Sequence, residues 1–344
     1  MSGLRYAGPF AFLAAIPALY LFWDIAPYAV PLALLLLLLA MSYVSDDNAP
    51  DGHAARALPI LYIPLQIAVV FWAASEVARA GATAAGFFSL AVATGACTGV
   101  FGVLAAHEMV HSRVRWHRWL GAAMLTAMSY RHFRIAHIYG HHRYAATDRD
   151  AATARLGEGF YAFLARTLPG QFAEAWSFER HRVRSAKFHL ICNRIAQDML
   201  LTASIYTGLW VMLGWRAAAF VAAESAVAIL VLELFNYVAH YGFLRRADEP
   251  LHAHHSWNAT GAANLLIFNM GRHSHHHPSP ALSYENLGAS HGAPELPGGY
   301  AGAILLALVP PLWRGVMHPR LWRSQAFHRE SVYGDRRRPA VAIP

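Results

Sequence analysis

The sequence predicts an all-α integral membrane protein, a bundle of six spanning helices that carries a histidine-rich cap. Apolar residues make up 56% of the 344 residues and charged residues only 14%, a balance typical of membrane proteins. Six apolar runs approach the roughly 17–25 residues that a helix needs to cross a bilayer. The basic residues are concentrated in two stretches, as they are when loops share one side of a membrane.

The six expected spans follow the apolar runs in chain order. They cover about residues 6–23, 26–44, 58–77, 86–106, 195–215 and 217–241. Asp24 and Pro27 predict a tight turn between the first two spans, and Gly214 predicts another between the last two. An even number of spans places both termini on the same side as the long polar segment between spans four and five.

The basic residues indicate which side that is. Of the 28 lysines and arginines, 14 lie between His107 and Arg194 and 10 more follow Tyr241. Because positive residues favour the cytoplasmic side, we expect one membrane domain over residues 1–344 with a cytoplasmic cap at about 107–194 and 242–344. Nucleic-acid binding is the alternative use of such charge, but basic residues flanking apolar spans are more typical of topology, so we expect no nucleic-acid partner.

Two apolar segments are too short to span. Residues 119–130 are expected to form a buried or re-entrant helix that leads to the next histidines, and residues 300–313 an interfacial or buried helix. Cys97 and Cys192 lie far apart in different kinds of segment, so no disulfide framework is predicted. The first apolar run has no convincing cleavage site, so we expect no cleaved signal peptide.

Histidines form four groups at or beyond the ends of the expected spans. HEMVH begins at residue 107 and HIYGHH at residue 137, and each holds two histidines four residues apart, a spacing that on a helix lets both rings reach one ion. A third group is a single histidine in NYVAHYG, and the fourth is RHSHHH. The candidate metal ligands are His107, His111, His137, His141, His142, His240, His273, His276 and His277.

Nine imidazoles are more than one ion can take, so two ions are the natural number. Imidazole suits iron, zinc, copper or nickel, and no cysteine or carboxylate cluster competes for the metal here. Zinc sites are usually closed with four ligands, or hold three ligands and one open position. The pattern therefore favours a pair of redox metals of higher coordination number at a membrane surface, where buried ionisable groups usually mark function.

The four motifs resemble those of the membrane-bound alkane hydroxylases, a branch of the membrane fatty-acid desaturase and hydroxylase superfamily. The family patterns HELxHK/R, EHxxGHH, NYxEHYG and RHSDHH correspond to residues 107–113, 136–142, 236–242 and 272–277. Residues 146–161 and the phrase HSWN at 255–258 also resemble the family. The likeness covers about residues 100–290, and the four motifs together are highly specific.

The resemblance implies a function. In the family, the nine histidines hold two iron ions at the cytoplasmic ends of a six-helix bundle, and one oxygen atom of O2 is inserted into a terminal C–H bond. The implied partners are an apolar substrate from the bilayer, membrane lipid, and a rubredoxin or ferredoxin with its NAD(P)H-dependent reductase. An acidic donor could bind the basic surface around Arg113, Arg115, Arg118 and the basic tail from Arg314. The bacterial inner membrane is the expected location.

Three positions depart from the family pattern. Ala136 and Ala239 replace glutamates, and His275 replaces an aspartate. Metal-bound histidines usually donate their other N–H to such carboxylates, so alkane specificity and the reaction outcome stay open. His275 is a candidate for a tenth ligand or, as we favour, for an outer-shell role. Glu108 is a candidate outer-shell carboxylate or a structural partner of an arginine.

Other functions fit parts of the sequence. A fatty-acid desaturase, a decarboxylase or a hydroxylase of aromatic methyl groups would show the same histidines. HEMVH also fits the HExxH motif of an intramembrane zinc metalloprotease, but that reading leaves seven histidines unexplained. A metal transporter or haem-binding subunit is a non-catalytic alternative, although transporters place their ligands near mid-bilayer rather than at the ends of spans.

Overall fold

The protein is described by a computed structural model that covers residues 5–45, 55–246, 248–290 and 292–333, without the side chains of 325–333. Within these residues the chain forms helices and loops, and the only extended pairing is an isolated bridge between Asn258 and Glu295. The predicted all-α class is therefore confirmed. Two histidines, His53 and His291, lie outside the described residues.

Ten longer helices make up most of the fold. They are α1 (Gly8–Phe22), α2 (Ala29–Met41), α3 (Ala57–Ala78), α4 (Ala84–His111), α5 (Arg115–Ala127), α6 (Phe160–Val183), α7 (Arg194–Leu213), α8 (Trp215–His240), α9 (Gly299–Ala307) and α10 (Pro310–Tyr333). Short helical turns carry the remaining histidine motifs, at Phe133–Ile135, Ala136–His141, His142–Tyr144 and His273–His276.

Among the described residues, three helices are long and apolar enough to cross a membrane, judged by length and composition: α3, α4 and α8. Helices α1 and α2 are apolar but shorter, and α7 has 20 residues. These helices make the chain an integral membrane protein in character. The full count of six spans and the cytoplasmic position of the histidine segments stay predictions.

Helices α4 and α8 carry the first and third histidine motifs at their C-terminal ends, and glycines set their distance. A Cβ atom on Gly95 would lie 2.6 Å from Val227 Cβ, and one on Gly99 would lie 2.7 Å from Val231 Cβ. Small residues allow two helix backbones to approach closely in this way. The close approach aligns the end of α4, with its two histidines, beside His240 at the end of α8.

Helix α5 folds back against α4. A Cβ atom on Gly121 would lie 2.9 Å from the Ala106 carbonyl oxygen, so the two backbones are in near contact. This is the short apolar helix expected at 119–130, and it leads into the turns that hold HIYGHH. The second short segment differs from the expectation, because two helices cover 300–313: α9 ends at Ala307 and α10 starts at Pro310. Proline favours the first position of a helix, where it has no N–H to leave unpaired.

Candidate metal centre

Five of the candidate ligands form a first cluster. Their ring nitrogens all lie within 4.8 Å of one another, and among the described residues no cysteine, aspartate or glutamate belongs to the group. Helix α4 contributes two of them, the turns at 136–144 two, and the helical turn at 273–276 one. The first cluster consists of His107, His111, His137, His142 and His276.

The other four candidates form a second cluster beside the first. It consists of His141, His240, His273 and His277, and all four residues are buried. Three segments distant in sequence thus meet here: the turn at 136–141, the last residue of α8 and the turn at 273–277. The structure therefore gathers all nine predicted histidines, in groups of five and four.

The spacing of nitrogens within the second cluster fits a shared ion. The Nε2 atom of His240 lies 2.9 Å from that of His273 and 3.1 Å from that of His277, and the last two are 3.0 Å apart. Two nitrogens about 2.1 Å from one ion are separated by roughly 3.0 Å at a right angle and roughly 3.4 Å at a tetrahedral angle. The observed separations match right angles, which favours a higher-coordinate ion over tetrahedral zinc.

The first cluster shows the same spacing. The Nε2 atom of His137 lies 3.1 Å from that of His111 and 3.0 Å from that of His142, which in turn is 3.2 Å from His276 Nε2. Both ring nitrogens of His107 are buried without a hydrogen-bond partner among the described residues. Since a buried polar atom normally has a partner, a metal ion is the natural one here. The residues present therefore fit a pair of metal ions.

The turn at Ala136–His141 corrects one expectation about the second motif. Four-residue spacing predicts that His137 and His141 reach the same ion, but they belong to different clusters. The turn is a π-helix, in which hydrogen bonds join residues five apart. His137 therefore meets His142, five residues on, in the first cluster, and His141 is directed to the second.

Burial keeps the histidines outside the spans in the form that binds metal. Burial, with a smaller contribution from His141, lowers the pKa of His273 to about 3. Burial, with the neighbouring imidazoles, also lowers the pKa of His137, His142, His276 and His277 well below the usual value. Neutral imidazole is the ligand form, so these sites need no deprotonation at neutral pH.

A carboxylate missed by the sequence reasoning orients one ligand. The Nδ1 atom of His141 donates to Asp150 Oδ2 at 2.8 Å, and that oxygen also accepts from Thr153 Oγ1 at 2.6 Å. The other oxygen of Asp150 accepts from the Ala152 N–H at 3.0 Å. A proton held on Nδ1 leaves the Nε2 lone pair of His141 free for a metal. Asp150 lies in a polar loop directly after the second motif, and that position was the one available signal.

Comparison with known proteins agrees with the four motifs. A sequence model described as fatty acid desaturase matches residues 82–306. An alkane 1-monooxygenase of Pseudomonas putida is 36% identical over 274 residues, which are 77% of this chain and 68% of that protein. An alkane 1-monooxygenase 1 of Pseudomonas aeruginosa is 33% identical over 83% of this chain and 79% of its own length. This chain belongs to the membrane-bound alkane hydroxylase family.

A relative named for a different function matches a smaller part of the chain. A xylene/toluene monooxygenase hydroxylase component of Pseudomonas putida is 32% identical over 225 residues, which are 63% of this chain and 59% of that protein. The family model and the alkane 1-monooxygenase relatives confirm the resemblance stated from the motifs. The chain is an oxidoreductase of the desaturase superfamily.

A carboxylate from outside the motifs lies close to the turn that carries Ala136. Ala136 is buried, but Glu174 on α6 approaches the same turn, and a Cβ atom on Gly140 would lie 2.6 Å from its carboxylate. Burial raises the pKa of Glu174 to about 7, an effect that Asp150 strengthens and His141 opposes. A larger side chain at Gly140 would therefore displace the Glu174 carboxylate.

The two residues predicted for supporting roles lie outside both clusters. His275 Nδ1 accepts a hydrogen bond from the Gly288 N–H at 2.8 Å, so its ring is engaged with a loop. Glu108 lies beside Tyr284 and Glu285, and Glu285 in turn pairs with Arg56. The contacts of His275 are those of an outer residue rather than of a tenth ligand.

A third group of potential ligands has different chemistry. Glu249, His254 and His255 bring ligand atoms within 4.8 Å of one another. His255 Nδ1 accepts from the His252 N–H at 3.0 Å, so its proton lies on Nε2, which faces Glu249 Oε1 at 3.6 Å. A protonated nitrogen cannot bind a metal, and the group is best described as a histidine–carboxylate contact.

Proposed function

We propose that this protein is an O2-dependent di-iron monooxygenase that hydroxylates a terminal C–H bond of an apolar substrate such as an alkane. The observation that carries the proposal is the division of nine histidines into groups of five and four with converging nitrogens. The relatives named alkane 1-monooxygenase support the choice of reaction and substrate.

We propose two iron ions because of the chemistry of the ligands and the distances between their nitrogen atoms. The nitrogens of each cluster are spaced as they are around a higher-coordinate ion, and the donor set is imidazole throughout. When bound, such a pair of ions supplies the redox chemistry that activates O2. The chain's own residues hold the imidazoles neutral, orient His141 through Asp150 and keep the second cluster away from water.

The position of the clusters supports an apolar substrate. Three of the nine histidines lie in the last turns of α4 and α8, two helices that are long and apolar enough to cross a membrane. Phe133 stacks on the His137 ring with 4.8 Å between centroids, so apolar side chains continue up to the cluster. A hydrocarbon dissolved in the bilayer can reach such a site without crossing water. Electrons come, in this proposal, from rubredoxin or ferredoxin and an NAD(P)H-dependent reductase.

Replacement of single ligands tests the di-iron assignment. The variants His141→Ala, His240→Ala and His276→Ala are expected to abolish product formation and lower iron content, while the protein still inserts in the membrane. His181→Ala is the matched control, because His181 is exposed and its ring bonds only the Ser177 carbonyl among the described residues. Activity retained in all three ligand variants would contradict the assignment.

Product analysis separates the remaining functions of the superfamily. Cells that express the protein are fed an alkane, an alkylbenzene and a fatty acid, and the products are identified. A terminal alcohol from the alkane supports the proposal. Preferential oxidation of the alkylbenzene methyl group supports an aromatic-methyl hydroxylase, the candidate favoured by the xylene/toluene relative. An alkene indicates a desaturase or decarboxylase, and one zinc per chain with no oxygen-dependent product indicates a metalloprotease.

A further inference from the structure

A cavity of about 560 Å³ lies between α5, the turn before the second motif and the start of α7. It is separate from both histidine clusters. Its charged lining consists of Arg115, Arg118, Arg131, Arg134, Arg194 and Asp198. Five guanidinium groups thus face one carboxylate, and the remaining lining is largely apolar. We call it the arginine cavity.

The positive charge of the arginine cavity is only partly balanced. Arg134 Nη2 donates to both oxygens of Asp198 at 2.9 and 2.8 Å, and Arg131 Nε lies 3.0 Å from the same carboxylate. Arg194 Nε donates to Glu179 at 2.8 Å. Asp198 is therefore shared between two guanidinium groups, and its single negative charge does not balance both.

Two arginines have no such partner. Within the described part of the chain, no carboxylate pairs with Arg115 or Arg118. The Arg118 Nη1 atom instead donates to the carbonyl oxygens of Ser112 and Arg113, at 2.9 and 2.8 Å. The Nε atom of Arg134 is also buried without a hydrogen-bond partner among described residues. Arg115 and Arg118 are exposed, so their unbalanced guanidinium groups are open to an anion that enters the cavity.

The surroundings of the cavity are those of a membrane surface. Helix α5 starts four residues after α4 ends, and its Trp116 and Trp119 side chains are 52% and 65% exposed. Exposed tryptophan is typical of the headgroup level of a bilayer. On the other side of the cavity, α7 exposes Leu200 and Leu201. Apolar side chains beside unbalanced arginines suit a ligand with an anionic head and an apolar tail.

We propose that the arginine cavity binds the headgroup of an anionic phospholipid. The guanidinium fork matches phosphate oxygens in a bidentate manner, and the Arg115 guanidinium is already oriented by stacking 5.1 Å above the Trp119 ring. The acyl chains would then lie against the exposed leucines of α7. This site does not depend on the proposed reaction, since none of the nine histidines lines the cavity.

A lipid bound in the arginine cavity would also contact the chain segment that carries some of the candidate metal ligands. Arg131 and Arg134 precede His137 in the same run of short helical turns, and Ile138 and Tyr139 of the π-helical turn line the cavity. A lipid phosphate bound there would fix the position of this π-helical turn. His137 lies within the turn, and His142 follows it directly. The basic residues at 115 and 118, first considered for an acidic electron donor, are better explained as part of this lipid site.

The test measures lipid binding to the full-length protein purified in detergent, by native mass spectrometry with phosphatidylglycerol and phosphatidylcholine. We expect phosphatidylglycerol to bind in preference. Each arginine near an anionic lipid contributes about fivefold in affinity, so Arg115→Gln with Arg118→Gln is expected to weaken phosphatidylglycerol binding about 30-fold. Substitution of both by lysine keeps the charge and is expected to cost no more than about threefold.

Arg320→Gln with Arg323→Gln is the matched control. Both arginines are exposed on α10 and bond only backbone carbonyls among the described residues, so the pair removes the same charge without touching the cavity. Unchanged binding in this control supports the proposal. If the glutamine pair does not give folded protein, Arg115→Gln alone is used, with an expected loss of about fivefold.

Several outcomes would overturn the lipid assignment. Equal binding of the two lipids would show that charge does not matter. Displacement of the lipid by excess inorganic phosphate would identify a free phosphate site, and displacement by palmitate would identify a carboxylate anchor for substrate. Weaker binding of an acidic iron–sulfur protein to the glutamine pair, with lipid binding unchanged, would return these arginines to an electron donor.

Discussion

The Asp150 carboxylate holds the proton of the His141 ring on Nδ1. This carboxylate accepts from His141 Nδ1, while Thr153 and the Ala152 N–H hold the carboxylate in place. The bond therefore determines which nitrogen of His141 faces the metal. An amide at this position can instead present its NH2 group to Nδ1, which favours the wrong tautomer.

We therefore expect Asp150→Asn to lower iron retention or product formation about 10- to 100-fold, as is usual when an outer partner of a metal ligand is lost. Asp148→Asn is the control, because Asp148 is exposed in the same loop. The measurement is iron content after dialysis against a weak chelator, together with product yield. Equal iron content and yield in the two variants would contradict the role of Asp150.

At the scale of single elements, the distance between α4 and α8 is set by Gly95 and Gly99. We expect Gly99→Ala to lower the free energy of unfolding by about 1–3 kcal/mol, because the new Cβ atom would lie 2.8 Å from the Ala228 carbonyl oxygen. Gly208→Ala on α7 is the matched control, since a Cβ atom there meets nothing within 4 Å. Thermal unfolding in detergent measures both, and a loss no larger than that of the control would contradict the close contact.

Glu179 joins α6 to the start of α7. Burial acts to raise its pKa, but hydrogen bonds from Arg182, Arg194 and the Arg194 N–H hold the pKa at about 2, below the usual 4.5. A carboxylate whose pKa is lower in the folded state stabilises the protein above the unfolded-state pKa, and loses this effect as pH falls through the folded-state value.

We therefore expect Glu179→Gln to unfold at a lower temperature than the parent at pH 7, and the difference to shrink between about pH 4.5 and 2. Glu76→Gln serves for comparison, because Glu76 forms an exposed pair with Arg79 and such pairs contribute little. Unfolding temperature is followed against pH. A difference between parent and Glu179→Gln that is constant over this range would argue against the ion pair as its cause.

At the scale of the whole molecule, the sequence predicts which histidines come together better than how they are grouped. The nine histidines could be named because helical spacing and placement at the ends of apolar runs are visible in the chain. Their division into five and four could not, because the π-helical turn at 136–141 has no signature in spacing alone. Asp150 and Glu174 were missed because only tertiary contacts distinguish them from other acidic residues in polar segments.

The helices were also predicted only in part from the sequence. The boundaries of α3, α4 and α8 lie close to the predicted runs, since long uninterrupted apolar segments leave little choice. The break between α9 and α10 was missed because a proline pair can either bend or start a helix, and neighbouring packing decides which.

The π-helical turn couples the two histidine clusters to each other. His141 belongs to the second cluster, and His137 and His142 on either side of it belong to the first, so a shift of this short stretch would disturb both clusters together. Loading and loss of metal should then be cooperative, and a chelator titration should pass from two ions per chain to none without a populated one-ion form. A stable one-ion species would mean that the two sites exchange metal independently.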